Sequence, residues 1–133
     1  MASSILGVDF GTKRVGLAIA TDDSHPRRLV TLTNDEQLLA ALRRQIASHG
    51  ATTVVVGLPR NLDGDDTPQT TLARRFAEHL QQSQPKLAIV MQDEALTSEI
   101  AGDRLEAEGV KDIAAVLDQE AAVIILEDYL SEA

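Results

Sequence analysis

Three carboxylates stand where they could do chemistry in this chain: Asp9 in LGVDFGTKRVGLAIA, Glu94 in the pair Asp93-Glu94, and Asp118 in LDQEAAVIILEDYL. Asp9 interrupts an apolar run of Ile5, Leu6 and Val8, and a bare carboxylate is costly to bury unless a cation or a set of donors compensates it. Alone, D-x-G-T at a strand end also suits an Asx turn, or a loop whose backbone approaches a phosphate. Glu94 comes directly after another buried strand, at the carboxyl edge where open α/β sheets bind ligands. As a plain surface acid it would be favoured there by the dipole of the next helix. Asp118 shares a helical face with Ala121, Ala122 and Ile125, so it points with the apolar side toward a sheet; its other reading is an N-cap. Asp93 is a weaker candidate, since neighbours on a strand face opposite sides. Acids at strand and helix ends along one sheet edge suit hard divalent cations. Two such ions about 4 Å apart can generate a hydroxide and stabilise the leaving oxygen of a phosphodiester displacement. His25, His49 and His79 are scattered and form no zinc set.

The elements that must position these acids follow from periodicity. Residues 4–10 and 15–21 read as a hairpin around the turn at Gly11, Thr12, Lys13 and Arg14, and residues 29–32 as a short third strand after a loop containing Asp22, Asp23 and Pro26. A helix is predicted from Thr33 or Asn34 to about His49, with Leu38, Leu39, Leu42 and Ile46 at helical spacing and Gly50 ending it. The β-branched run 52–57 reads as a strand covered on both faces. Residues 58–68 (LPRNLDGDDTP) are too rich in Pro, Gly, Asp and Asn for regular structure and suit a mobile substrate loop. Thr67 and Pro68 cap a helix whose buried face is Leu72, Phe76 and Leu80. A strand over 87–92, a helix from Thr97 or Ser98 to about Glu108, and an apolar helix over 118–130 complete the chain. The order implies one α/β domain over residues 1–133. Its central sheet is mixed, with antiparallel first strands and parallel later ones, flanked by helices.

Composition narrows the function classes. The 133 residues make one domain with an aliphatic core, since aromatics are 2% and Trp is absent. No aromatic platform is available to stack single-stranded bases. The absence of Cys excludes thiolate metal sites and thiol catalysis and fits a cytoplasmic protein. No leader pattern and no apolar run long enough for a membrane span is seen, so no membrane partner is expected. The net charge of −9 disfavours nucleic acid at face value. It is unevenly spread, however: residues 93–133 hold a net −10 and residues 1–92 a net +1. Lys13, Arg14, Arg27, Arg28, Arg60, Arg74 and Arg75 could thus form a basic face.

The segments GVDFGTKRVGLAIA, VVVGLPRNLDGDDTPQT with ARRFAEHL, DEALTSEIA and LDQEAAVIILEDYL resemble, in order and from about residue 5 to 130, the successive motifs of the YqgF family. Its members are ribonuclease-H-like nucleases described as Holliday-junction-resolvase-like or as maturases of pre-16S ribosomal RNA. The resemblance implies a single ribonuclease-H-like domain that hydrolyses phosphodiester bonds of structured nucleic acid, either the 5′ end of pre-16S rRNA or a four-way DNA junction. It implies Asp9, Glu94 and Asp118 as catalytic metal ligands and Mg2+ or Mn2+ as cofactor; the basic residues Lys13, Arg14 and Arg60 near that site, with Asn61, are the expected substrate-binding residues. Pre-rRNA or branched DNA and a second copy of the chain in a homodimer are the expected partners. Two departures bear on substrate affinity: Ala95 stands where the family usually has Arg, and the segment before the last helix carries only Lys111. Two rivals remain. Sugar kinases and chaperone nucleotidases also open with D-x-G-T, but need two such domains. A catalytically idle module that binds nucleic acid or protein would have no need of three buried acids.

Overall fold

Alternation along the strands decides the architecture. In the computed structural model, which describes residues 3–21, 25–94 and 96–132, five strands form one sheet: β1 (Ser4–Phe10), β2 (Arg14–Thr21), β3 (Arg27–Thr33), β4 (Ala51–Pro59) and β5 (Ala88–Glu94). Their spatial order is β3-β2-β1-β4-β5. The first three pair antiparallel, and β4 and β5 run parallel to β1. The large apolar residues Leu6, Val8, Val15, Leu17, Ile19, Val54 and Val56 all face one side, where α1 (Leu38–His49) and α2 (Pro68–Ser83) cover them. The opposite side is built from small residues, Gly7, Gly16, Ala18, Ala20 and Gly57, with Val55, and against it lies α4 (Ile113–Glu132). Outside α4 packs α3 (Thr97–Ala107), through Ala101 against Ala121 and Ile124. A period of 2 thus separates two cores, one of bulky aliphatics and one thin enough for a helix to approach the sheet backbone. No helix among the described residues is long and apolar enough to cross a membrane.

Several element boundaries differ from the sequence-based expectation. The first helix starts at Leu38 rather than at Thr33 or Asn34, because Asn34 is committed elsewhere: its backbone N–H donates to the Lys13 carbonyl (2.9 Å) and its side chain to the Gly11 carbonyl (2.7 Å). Asn34 thereby ties down the turn after Asp9. On α2, Thr67 caps with Pro68 at the first turn as read, but Leu72 is 37% exposed, and the buried face is Ala73, Phe76, Ala77 and Leu80. The stretch 58–68 is less irregular than its composition suggests: β4 runs on to Pro59, and Arg60 bridges to Asp66. The last helix begins at Ile113, not at Asp118. Gly109, with φ +77°, closes α3, and the Ala115 N–H already donates to the Asp112 carbonyl. Asp118 is therefore well inside the helix, which removes its N-cap reading. The acids Asp22 and Asp23 and the substituted Ala95 lie outside the described residues.

Candidate active site

On β1 the alternation that turns Leu6 and Val8 toward α1 and α2 turns Gly7 and Asp9 toward α4. Asp9 stands opposite Gly16 in the β1–β2 ladder. A Cβ on Gly16 would collide with the main-chain carbonyl of Asp118, so α4 rests on bare backbone there and Asp118 comes down beside Asp9. Burial, and then the Asp118 charge, push the Asp9 carboxyl up from 3.8 to about 7. Asp118 is held from outside by Arg14, whose Nε donates to Oδ2 at 2.8 Å.

Glu94 ends β5 and is only 8% exposed. The Thr97 hydroxyl, at the start of α3, donates to its Oε2 at 2.7 Å, while Oε1 is buried and accepts no hydrogen bond. Burial raises its carboxyl to about 8; the Thr97 bond opposes the shift, and Asp128 and Glu132 on α4 add to it. Asp9 and Glu94 line one cleft of ≈ 280 Å³ with Gly57, Pro59, Arg60, Thr97 and Ile125. Gly57 lies on the strand between them, and a Cβ there would meet the Ile125 side chain and come within 3.6 Å of the Glu94 Cγ. A bare glycine thus lets Ile125 of α4 pack down onto the strand between the two acids.

The three candidate acids are not gathered around one point. Among the described residues, no group of three His, Asp or Glu side chains is placed to hold a metal ion together. Instead the Asp118 charge bears on Asp9, and Asp128 and Glu132 bear on Glu94, with Asp9 and Glu94 on the wall of the same cleft. The candidate basic residues are similarly committed. Arg14 holds Asp118, and Arg60 donates to Asp93 at 3.1 Å and also to Asp66, which Arg74 shares. Lys13 is exposed in the β1–β2 turn. Asn61 organises its own loop, its Oδ1 accepting from the N–H groups of Asp63 (3.0 Å) and Asp65 (2.8 Å). Sequence reasoning passed over Thr97 and Asp128. Thr97 stands three residues after Glu94 at a helix start. Asp128 lies one turn beyond Ile125 on the face already traced through Asp118, Ala121, Ala122 and Ile125.

Comparison with known proteins fits this arrangement. A family profile described as "RuvX: Holliday junction resolvase" matches residues 3–132. A protein of Maridesulfovibrio salexigens named "Putative pre-16S rRNA nuclease" is 39% identical over 97% of this chain and 98% of its own length. One of the same name from Chloroflexus aurantiacus is 39% identical over 95% of this chain and 85% of its own. Among solved structures, the fowlpox virus Holliday junction resolvase superposes with a TM-score of 0.63 at 10% identity, over 97% of this chain and 98% of its own. Thermus thermophilus RuvC in complex with a Holliday junction substrate superposes with a TM-score of 0.59 at 13% identity, over 98% and 96%. Likeness at that identity speaks for the fold alone, a ribonuclease-H-like sheet flanked by helices. The full-length family match carries more, and the chain belongs to the RuvX family, also known as YqgF.

Proposed function

We propose that the protein is a divalent-metal-dependent endonuclease acting in the cytoplasm on structured nucleic acid, and that it processes the 5′ end of pre-16S rRNA in ribosome biogenesis. The observation that carries this reading is the pair of acids, half-buried Asp9 and buried Glu94, facing one open cleft at the carboxyl ends of β1 and β5. A full-length family match and relatives named as pre-16S rRNA nucleases support it. The donor set suits a hard cation. Asp9 and Glu94 are both pushed toward protonation, and Glu94 keeps a buried oxygen with no hydrogen-bond partner. Mg2+ or Mn2+ taken up at the cleft acids Asp9 and Glu94, with Asp118 beside Asp9, would supply an activated water and neutralise charge on the scissile phosphate. The chain's own residues do the positioning. Thr97 fixes the Glu94 rotamer, and Arg14 orients Asp118 and can turn to a substrate phosphate. Lys13, exposed in the β1–β2 turn, is a further phosphate contact, whereas Arg60 lines the cleft and would meet substrate only by leaving Asp66 and Asp93; Asn61 keeps the loop that carries Arg60 in shape.

The test is cleavage by the purified chain, with Mg2+ or Mn2+, of an RNA spanning the 5′ end of pre-16S rRNA and of a synthetic four-way DNA junction. RNA cleavage is expected to fall about 100-fold or more in Asp9→Asn and Asp118→Asn, beyond what an outer-shell contact usually costs. An Asp118→Asn protein that cuts as well as wild type would remove Asp118 from the site. The family description favours a second reading, junction resolution. Two symmetric cuts need two sites, which a homodimer would supply. Preferred cutting of the junction by a dimeric species in sedimentation would establish that alternative.

A further inference from the structure

The chain has two phenylalanines, and both stand at one place. Phe10 ends β1 and stacks on Phe76 of α2, with ring centroids 4.6 Å apart. It directly follows Asp9, so the two side chains leave opposite faces of the same strand end. Asp9 faces the catalytic cleft, and Phe10 faces α1 and α2. On that side a second cleft of ≈ 340 Å³ opens between the start of α1 and the flank of α2. Its apolar wall is Phe10, Leu39, Leu72 and Phe76. Leu72 has the spacing of a core residue, yet it is 37% exposed, at the border of this opening. The polar rim is divided by sign. Asp35 and Glu36 stand on the α1 side, Arg75 and His79 on the α2 side. Positions 72, 75, 76 and 79 share one face of α2, so the cations and the apolar wall belong to one surface. Arg74 is bound to Asp66, whereas Arg75 is exposed and has no ion pair among the described residues.

We infer that this groove takes one unstacked nucleobase of the substrate, a few nucleotides along the strand from the bond that is cut. The inference rests on the nuclease reading above and adds a subsite to it: the nucleic acid must be unpaired beside the cleavage point. An apolar wall with an exposed guanidinium suits a free base, whose π-face stacks on aromatic side chains and on Arg. The acids decide between base and phosphate. Asp35 and Glu36 would repel the backbone, but as acceptors they suit the amino groups of adenine, cytosine and guanine. The base edge therefore points to the α1 side, and the backbone stays on the side of Arg75 and Lys13. A paired base offers neither its face nor its Watson–Crick edge, so a continuous duplex leaves the groove empty. The two sites are joined by one turn of chain. Asn34 borders the groove and, through the carbonyls of Gly11 and Lys13, holds the turn that follows Asp9.

The experiment is fluorescence anisotropy of the full chain in EDTA, where stacking persists without metal, with an RNA hairpin carrying single-stranded flanks and with the same hairpin blunt-ended. Leu72→Ala and Arg75→Ala are each expected to bind the flanked hairpin about fivefold or more weaker than wild type, the usual loss for one stacked base. Neither should change binding of the blunt hairpin, and the surface control Glu78→Gln should match wild type on both. Arg75 is exposed, so its variant reports binding even where Leu72→Ala melts lower. Abasic sites placed one at a time in the flanks identify the base. At one position the abasic site should cost wild type the same loss and cost Arg75→Ala nothing further. Flanked binding within about twofold of wild type in both variants would overturn the inference and leave the groove to a protein partner. Equal losses on abasic and complete flanks at every position would overturn it too, by marking a backbone contact. Variants that bind and cut as wild type remove the groove from the substrate path while the nuclease reading stands. A wild-type chain that reads the flank in this way but cuts nothing keeps the subsite and loses the nuclease reading.

Discussion

Burial alone would push Asp9 and Glu94 toward their protonated forms, and a second acid beside each, Asp118 and Asp128, pushes the same way. The linkage has a definite sign. The folded protein keeps a proton at Asp9 up to about pH 7 and at Glu94 up to about pH 8, whereas the unfolded chain releases these protons near 3.8 and 4.5. Their contribution to stability is complete below the unfolded values and is lost as pH rises through 7 and 8. In EDTA, the urea midpoint is therefore expected to be lower at pH 8.5 than at pH 5. Asp9→Asn should flatten that difference and raise stability at pH 8.5 by roughly 1–3 kcal/mol. Saturating Mg2+ should reverse the trend, since it binds the ionised acids of the folded state. Equal midpoints at the two pH values in EDTA would mean that the acids are solvated.

At the scale of elements, α4 is the part on which the site depends. It is apolar through its middle, with Ala121 to Leu126 all buried, and it lies across the sheet on Gly7, Gly16 and Gly57. These glycines serve close approach, since a side chain at any of them would stand where α4 now runs. Gly16→Ala is the informative change, because its Cβ meets Asp118 backbone, which cannot swing away like a side-chain tip. Overpacking of this kind is expected to cost about 1–3 kcal/mol. The same displacement carries Asp118 away from Asp9, so activity should fall by more than stability does at a temperature where the variant is fully folded. Thermal melts beside cleavage rates separate the two effects. A fully active Gly16→Ala protein would show that the helix tolerates the shift. Between β5 and α3, Leu96 adopts a left-handed conformation (φ 59°), the one positive-φ non-glycine among the described residues. Such a conformation costs a leucine about 1–2 kcal/mol, and it falls two residues after Glu94, beside the cleft, where strain is commonly stored.

For the whole molecule, the question is how a chain of net charge −9 binds a polyanion. The structure narrows the cations available. Arg28, Arg60, Arg74 and Arg104 are bound to the chain's own acids, and near the cleft that leaves Lys13 and Arg14, the latter shared with Asp118. Substrate affinity should therefore depend on salt only weakly. A slope of log Kd against log salt of roughly 1–2 is expected, from about two phosphates neutralised on a single strand. Arg14→Ala should reduce that slope by about one. Binding measured by fluorescence anisotropy at several KCl concentrations and constant Mg2+ checks this. A slope of 5 or more would require a basic surface that these ion pairs do not leave open.

The sequence by itself determined the elements and which side each residue shows. The β-branched run of β4, the Thr67–Pro68 helix start and the alternation through Asp9 are local patterns, and local periods of 2 and 3.6 decide facing. Asp9, Glu94 and Asp118 could be named as candidates for the same reason, each being an acid at an apolar boundary. Where α4 begins was not readable, because Ile113 to Leu117 carries the same apolar character as the helix after it and Asp118 looks like a cap. Only the tertiary structure decided which acid neighbours which. Arg14 reaches Asp118 across 104 residues of chain, and the α4 acids that raise the Glu94 carboxyl are Asp128 and Glu132 rather than Asp118. Those partnerships are set by the line along which α4 crosses the sheet, and that line follows from where glycines let the helix sink to the backbone. Helix and strand periodicity gives no information on how one element lies across another; packing does.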